Sequence, residues 1–231
     1  MTSTLITGAN KGLGFETARR LVAAGHTVYI GSRDAECGWR AAERLGVQMV
    51  QLDVTDDASV AAAAKVIETD GGLDVLVNNA GIRVHGDDAA SVTAEIMRQT
   101  FETNVFGTVR VTHTFLPLLQ RSKAPVVVNV SSGLGSLTWV AAASNSRAYA
   151  HPGVAYQASK TAVNMLTVQY AKAFPNMRIN SVVPGYTATD LNGHRGTQPV
   201  ERGAEIIAQM AQVGPNGPTG GCFDSEGTVP W

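Results

Sequence analysis

Tyr156 and Lys160 stand four residues apart in a stretch where Ala155, Ala158, Ala162, Met165 and Leu166 recur with helical spacing. Residues i and i+4 of a helix share a face, so a phenol and an ammonium are predicted to meet there. A free phenol, with a pKa of ~10, exchanges protons poorly at neutral pH, and a neighbouring cation favours the phenolate and draws that value toward the working range. The pair therefore has the chemistry of a general acid and its tuner. Tyr-x-x-x-Lys also arises by chance on solvated helix faces, so its meaning depends on the elements that precede it.

Those elements alternate. Residues 4–7 read as a short buried strand running into Gly8-Ala-Asn-Lys-Gly12-Leu-Gly14, followed by an amphipathic helix carrying Phe15, Ala18, Leu21 and Val22 and stopped at Gly25. Strand, glycine turn and helix together leave backbone N–H groups where a phosphate can approach without meeting a Cβ. The next strand, 27–30, ends in Gly31-Ser32-Arg33-Asp34, the position that faces the adenosine ribose in a dinucleotide fold. Arg33, with Lys11 approaching from the glycine turn, favours a 2′-phosphate and hence NADPH. The competing reading makes Asp34 the ribose ligand and NAD the cofactor. A helix over 36–45, a strand over 48–52 ending at Asp53-Val54, and an alanine-rich helix capped from Thr55-Asp56-Asp57 follow. A fourth strand, 73–77, runs into Asn78-Asn79-Ala80-Gly81. No hairpin signal separates these strands, which implies a parallel sheet covered on both faces.

A long helix is predicted from about Thr93 to Leu119, with Asn104 and Gly107 in its middle. Both are poor helix formers, so Asn104 either faces water or marks a local break that turns polar groups toward a cavity. The strand 126–130 ends at Ser131-Ser132, on the edge where open parallel sheets collect ligands. Residues 133–153 form a connection rich in Gly, Ala and Ser, too long for a default loop. After the helix bearing Tyr156 come a strand at 178–183, the segment Pro184-Gly185-Tyr186-Thr187-Ala188-Thr189, a helix near 199–212 and a short strand at 221–224. With no repeat or linker dividing its 231 residues, the chain reads as a single α/β domain spanning 1–231. The expected fold is a Rossmann-like, doubly wound parallel sheet of about seven strands with helices on both faces.

Composition narrows the function classes. With 44% hydrophobic and 16% charged residues and a formal net charge of -1, the chain lacks the clustered Lys and Arg that nucleic-acid binding needs. No apolar run approaches the ~20 residues needed to cross a bilayer, and the N-terminus does not read as a secretory signal, so a cytoplasmic protein without a membrane partner is expected. Cys37 and Cys222 lack metal-ligand spacing, and neither a disulfide scaffold nor a metal site is expected.

Taken in order, seven motifs resemble the short-chain dehydrogenase/reductase family over essentially the whole chain. They are Thr7-Gly8-x-x-x-Gly12-x-Gly14, Asp53-Val54, Asn78-Asn79-Ala80-Gly81, Asn104, Val130-Ser131-Ser132, Tyr156-x-x-x-Lys160 and Pro184-Gly185-x-x-x-Thr189. The segments Asn10-Lys11-Gly12-Leu13-Gly14, Asn129-Val130-Ser131-Ser132 and Asp224-Ser225-Glu226-Gly227 most resemble the carbonyl-reductase branch. The resemblance implies that Gly8, Asn10, Lys11, Gly12, Leu13 and Gly14 form the pyrophosphate turn, that Arg33 meets the 2′-phosphate, and that Asp53 and Val54 hold the adenine. Asn79, Ala80 and Gly81 would line the cofactor cleft, while Pro184, Gly185, Thr187 and Thr189 would fix the nicotinamide carboxamide and phosphates. Tyr156 would donate a proton to the carbonyl oxygen, Lys160 would lower its pKa and bind the nicotinamide ribose, Ser132 would hydrogen-bond the substrate oxygen, and Asn104 would anchor a water linking Lys160 to solvent.

Two positions in this pattern have alternatives. Either Ser131 or Ser132 could be the catalytic hydroxyl, and the family's spacing from the strand asparagine, here Asn129, prefers Ser132. The branch often carries a second cation where this chain has Cys37, a role that falls to Arg40. The interval from Ser132 to Tyr156 exceeds the family's usual spacing, so residues 133–153 carry an insertion of the kind associated in that branch with covering a tetramer surface; monomer or homo-oligomer stays open. The function implied is an NADPH-dependent carbonyl reductase, or ketoreductase, moving hydride to an apolar or aromatic ketone or aldehyde beneath His85, Trp139, Tyr149 and Tyr186. The alternatives are an NAD-dependent alcohol dehydrogenase of the same fold and a non-catalytic NADP-sensing module.

Overall fold

The computed structural model describes residues 1–142 and 153–231. Strands β1 (Ser3–Thr7), β2 (Thr27–Ser32), β3 (Gln48–Gln51), β4 (Val75–Asn78), β5 (Val126–Val130), β6 (Arg178–Val182), β7 (Cys222–Asp224) and β8 (Gly227–Thr228) form one sheet in the order β3-β2-β1-β4-β5-β6-β7-β8. Neighbours are parallel through β7, and β8 returns antiparallel to it. Successive strand residues enter opposite cores: Ile6, Ile30, Val77 and Val128 face one side, and Leu5, Tyr29, Leu76 and Val127 the other. This is why the strands read as continuous apolar runs rather than alternating ones.

Helices α1 (Gly12–Ala23), α2 (Ala35–Leu45) and α8 (Val200–Met210) cover the first face through Leu21, Ala41 and Ile207. Helices α3 (Asp57–Thr69), α5 (Gly107–Arg121) and α7 (Ala155–Ala173) cover the second through Ile67, Phe115 and Ala171, and the short α6 (Leu137–Ala141) follows β5. Between β1 and its neighbours β2 and β4 the winding reverses, leaving a crevice at the carboxyl ends of these strands.

Two expectations are refined. The long helix predicted over 93–119 is α4 (Ala94–Phe101), a π-helical turn (Glu102–Phe106) and α5, so Asn104 marks a break and does not face water; it is buried. The eighth strand is new. Its hairpin escaped the sequence because the two strands are too short to show a period, and the Asp224 carboxylate makes the turn by accepting from Glu226 N–H and Gly227 N–H at 2.8 and 3.0 Å. Helix α7 buries a largely polar stripe: Tyr156, Ser159, Lys160, Val163, Asn164 and Thr167 face inward with Ala155, while Met165 is exposed. No described helix is long and apolar enough to cross a membrane.

Candidate active site

The glycine turn takes its shape from two left-handed residues and one close approach. Gly8 and Gly12 have φ of 63° and 57°, a region that L side chains rarely enter. A Cβ on Gly14 would stand 2.6 Å from the Asn79 side-chain nitrogen and 2.8 Å from Ala9 Cα. Asn79 holds that side of the turn, its amide donating to the carbonyls of Thr7 at 2.8 Å and Gly8 at 3.1 Å. The Thr7 hydroxyl in turn accepts from Asn79 N–H and Ala80 N–H, each at 3.0 Å. The ends of β1 and β4 are thereby locked together, leaving a concave backbone turn at the start of α1 that fits a phosphate. Lys11, at the mouth of this turn, is ion-paired at 2.5 Å to Asp190 in the loop after β6.

The end of β2 presents one cation, Arg33, and one carboxylate, Asp34. Asp34 caps α2, accepting from Cys37 N–H at 2.8 Å, and these backbone donors hold its carboxyl below the usual range. The Ser32 hydroxyl turns to the Asp34 carbonyl at 2.7 Å. Arg40 is paired with Glu36 on the exposed face of α2, whereas the exposed Arg33 has no carboxylate partner among the described residues. Asp53 orders its own turn, accepting from Thr55 N–H and Oγ1 at 2.9 and 2.7 Å. Val54 lies against Gly107, where a Cβ would come within 2.8 Å of it.

A buried polar ladder seats the helix that bears Tyr156. Asn78, Asn129 and Ser181 are register partners on β4, β5 and β6. The Asn78 amide donates to Asn129 Oδ1 at 2.9 Å, the Asn129 amide donates to Thr167 Oγ1 of α7 at 2.8 Å, and Thr167 meets the Ser181 hydroxyl at 2.8 Å. One turn nearer the site, Ser131 Oγ donates to Asn164 Oδ1 at 2.6 Å. Gly135 completes the contact, since a Cβ there would sit 2.8 Å from Lys160.

With α7 fixed in this way, the adjacent serines separate. Ser131 is buried against α7, while Ser132, partly open, lies close enough to the Tyr156 phenol to lower its pKa and accepts from Leu134 N–H at 3.2 Å. Tyr156 is 8% exposed, and burial pushes its phenol up to about 12 despite the Ser132 hydroxyl and the Arg83 charge, which both pull it down. Burial also lowers the Lys160 ammonium to about 8. Its Nζ donates to the Val130 carbonyl at 2.9 Å and lies 5.6 Å from the centre of the Tyr156 ring. The two side chains share a face as expected, but desolvation holds the phenol protonated rather than drawing it toward neutrality.

Asn104 spends its amide on structure. Oδ1 accepts from Ile82 N–H at 2.8 Å, and Nδ2 donates to the Ile82 carbonyl and to Ser159 Oγ, each at 3.0 Å. A Cβ on Gly81 would sit 3.4 Å from Asn104 Oδ1 and 3.5 Å from Lys160 Nζ, so Gly81 keeps the space between them open. On the opposite wall, Gly185 has φ of 78°, and Thr187 Oγ1 donates to the Pro184 carbonyl at 3.2 Å. Gln198 donates to Thr187 Oγ1 at 3.0 Å, and Asn192 donates to the Thr187 carbonyl at 2.9 Å and accepts from Thr189 N–H at 3.3 Å. These two amides order the loop and carried no sequence signal, since their partners are backbone and hydroxyl groups brought close only by folding. Asn10 and Leu13 lie on the turn itself, partly buried.

The aromatic set proposed for the substrate is dispersed. Trp139 packs on Val183, Cys222 and Val229 and lines a cavity of about 270 Å³ with Pro184, Gly185 and Gln198, while His85 is exposed on the loop after β4 and Tyr186 is half exposed. Tyr149 lies outside the described residues.

Residues 2–199 match the family model for short chain dehydrogenases. A (+)-neomenthol dehydrogenase of Capsicum annuum is 31% identical, the match covering 94% of this chain and 93% of that one. The structure of salutaridine reductase from Papaver somniferum superposes with a TM-score of 0.84 at 30% identity, over 97% of this chain and 100% of that one. An NADPH-bound carbonyl reductase from chicken fatty liver gives a TM-score of 0.86 at 25% identity, over 100% of this chain and 99% of that one.

Proposed function

Because the chain belongs to the short-chain dehydrogenase/reductase family and is an oxidoreductase of CH–OH and C=O groups, we propose that it is an NADPH-dependent carbonyl reductase with Tyr156 as the proton donor. The observation that carries this reading is the convergence of the Ser132 hydroxyl, the Tyr156 phenol and the Lys160 ammonium at the carboxyl edge of β5.

The concave turn at Gly8, Gly12 and Gly14 fits a pyrophosphate, and Arg33 fits a 2′-phosphate, as the residue at the end of β2 whose charge is unpaired among the described residues. Asp34, the carboxylate that would favour NAD, is engaged through Oδ1 as the cap of α2. The similar carbonyl reductase bound to NADPH supports the same choice. Bound nicotinamide would supply the hydride.

The chain's own groups manage the oxygen. Tyr156, protonated at neutral pH, passes its proton to the substrate oxygen as negative charge builds there, and Ser132 donates a hydrogen bond to that oxygen. Lys160 then favours the phenolate left behind. Asn104 serves this site by fixing the Gly81–Ile82 segment; the water link expected of it is left to oxygen lone pairs not engaged with Ile82 and Thr108. Substrates related to those in the names of the relatives, neomenthol and salutaridine, fit an apolar or aromatic carbonyl compound.

The test is loss of NADPH absorbance over a panel of cyclic and aromatic ketones. Tyr156→Phe is expected to bind NADPH as the wild type does and to lose about 10² to 10⁴-fold in kcat. Undiminished turnover in that variant ends the proposal, and equal kcat/KM with NADH and NADPH ends the cofactor assignment.

A further inference from the structure

Arg83 belongs to none of the motifs by which the family is recognised, yet its guanidinium carbon stands 6.0 Å from the centre of the Tyr156 ring, close to the 5.6 Å of Lys160 Nζ. Three sets of contacts hold it there. The preceding residue, Ile82, is clasped at both its N–H and its carbonyl by Asn104. Arg83 Nη2 donates at 3.2 Å to Oδ1 of Asp87, a residue 5% exposed whose Oδ2 has no partner among the described residues. The Asp87 carbonyl accepts at 2.7 Å from the N–H of Val154, two residues before Tyr156, and Asp88 bridges Gly153 on the same seam. The loop between β4 and α4 is thus stitched to the entry of α7, and moving Arg83 away would leave a buried carboxylate uncompensated.

Among the described residues, the groups facing the phenol are Lys160 from α7, the Ser132 hydroxyl from the end of β5, and Arg83 with Asp87 from the loop after β4. Lys160 directs a proton to the Val130 carbonyl. Arg83 therefore stands as a second cation whose place is set by an ion pair and not by a flexible tether.

We propose that Arg83, held by Asp87, is a positioning residue for the proton donor, placing a fixed positive charge at the Tyr156 ring that favours release of the phenolic proton. The proposal rests on Tyr156 acting as the acid. The direction of the electrostatics agrees: the Arg83 charge lowers the phenol's pKa and the Asp87 charge raises it.

The experiment follows Tyr156 ionisation in the NADP-loaded protein by near-ultraviolet phenolate absorbance, isolated by subtracting the Tyr156→Phe variant. At a fixed alkaline pH below the midpoint, Arg83→Gln is expected to lower the phenolate fraction about tenfold, the equivalent of about one pKa unit. Arg83→Lys should restore most of it. Asp87→Asn, which keeps an acceptor for Arg83 while removing the negative charge, should raise the fraction. NADP affinity should stay within about twofold in all three. Shifts of the same sign in Arg83→Gln and Asp87→Asn, or no shift in Arg83→Gln, would overturn the proposal. The readout needs no turnover, so it decides the role of Arg83 separately from whether Tyr156→Phe abolishes reduction.

Discussion

Lys160 stands off the phenol with which it shares a helix face: its Nζ lies 5.6 Å from the centre of the Tyr156 ring and donates to the Val130 carbonyl at 2.9 Å. Each group is buried, and each is shifted toward its neutral form, the phenol to about 12 and the amine to about 8. The site therefore holds two groups made less willing to carry charge by the same dry surroundings.

That has a measurable consequence for stability. Between pH 8 and 10.5 the unfolded chain keeps the Lys160 proton and the native protein does not, so this residue makes stability rise with pH across that window; the relative gain is complete above 10.5 and is lost as pH falls through 8. Tyr156 acts oppositely, its contribution being intact below 10 and lost as pH rises through 12. In Lys160→Met, the variant's stability relative to wild type should therefore decline by up to about 3 kcal/mol from pH 7 to pH 10. The lost bond to Val130 adds an offset independent of pH. Urea melts at the two pH values check this, and a constant difference would contradict it.

The two serines should separate by phenotype. Ser131→Ala removes a buried bond to Asn164 and is expected to cost about 1 to 2 kcal/mol of stability while leaving kcat near wild type. Ser132→Ala should melt near wild type and lose about 10²-fold in kcat. Reversed effects would assign the catalytic hydroxyl to Ser131.

Gly14→Ala must accommodate a Cβ 2.6 Å from the Asn79 amide and 2.8 Å from backbone at Ala9 and Gly8. A loss of about 1 to 3 kcal/mol in stability is expected, with NADPH binding weakened at least about tenfold as the turn shifts. Gly214→Ala meets nothing within 4 Å and serves as the control, expected to fall within about 0.5 kcal/mol of wild type. Calorimetry and cofactor fluorescence report the two effects.

Cofactor choice is tested at the end of β2. Arg33→Ala should raise the Kd for NADPH by about ten- to a hundredfold and leave that for NADH unchanged. Arg40→Ala, whose guanidinium is paired with Glu36, should change neither by more than about twofold. Equal losses for both cofactors in Arg33→Ala would place Arg33 away from the 2′-phosphate.

The sequence by itself determined the order of strands and helices, the glycine turn and the family motifs, because these depend on local period, on positive φ at Gly8 and Gly12, and on residues adjacent in the chain. It marked the break at Asn104 without choosing its direction, since that choice rests on Ile82 and Ser159, which only folding brings near. It left the buried face of α7 unread, because the inward stripe there is polar and is matched by Asn129, Ser131 and Ser181 on the sheet. Tertiary structure alone buried Ser131 while leaving Ser132 partly open, engaged Asp34 as a cap and Lys11 with Asp190, and set Arg83 beside Tyr156. Polar groups take their roles from partners distant in sequence and from how much water burial removes, and neither is written in the spacing of residues along one strand or helix.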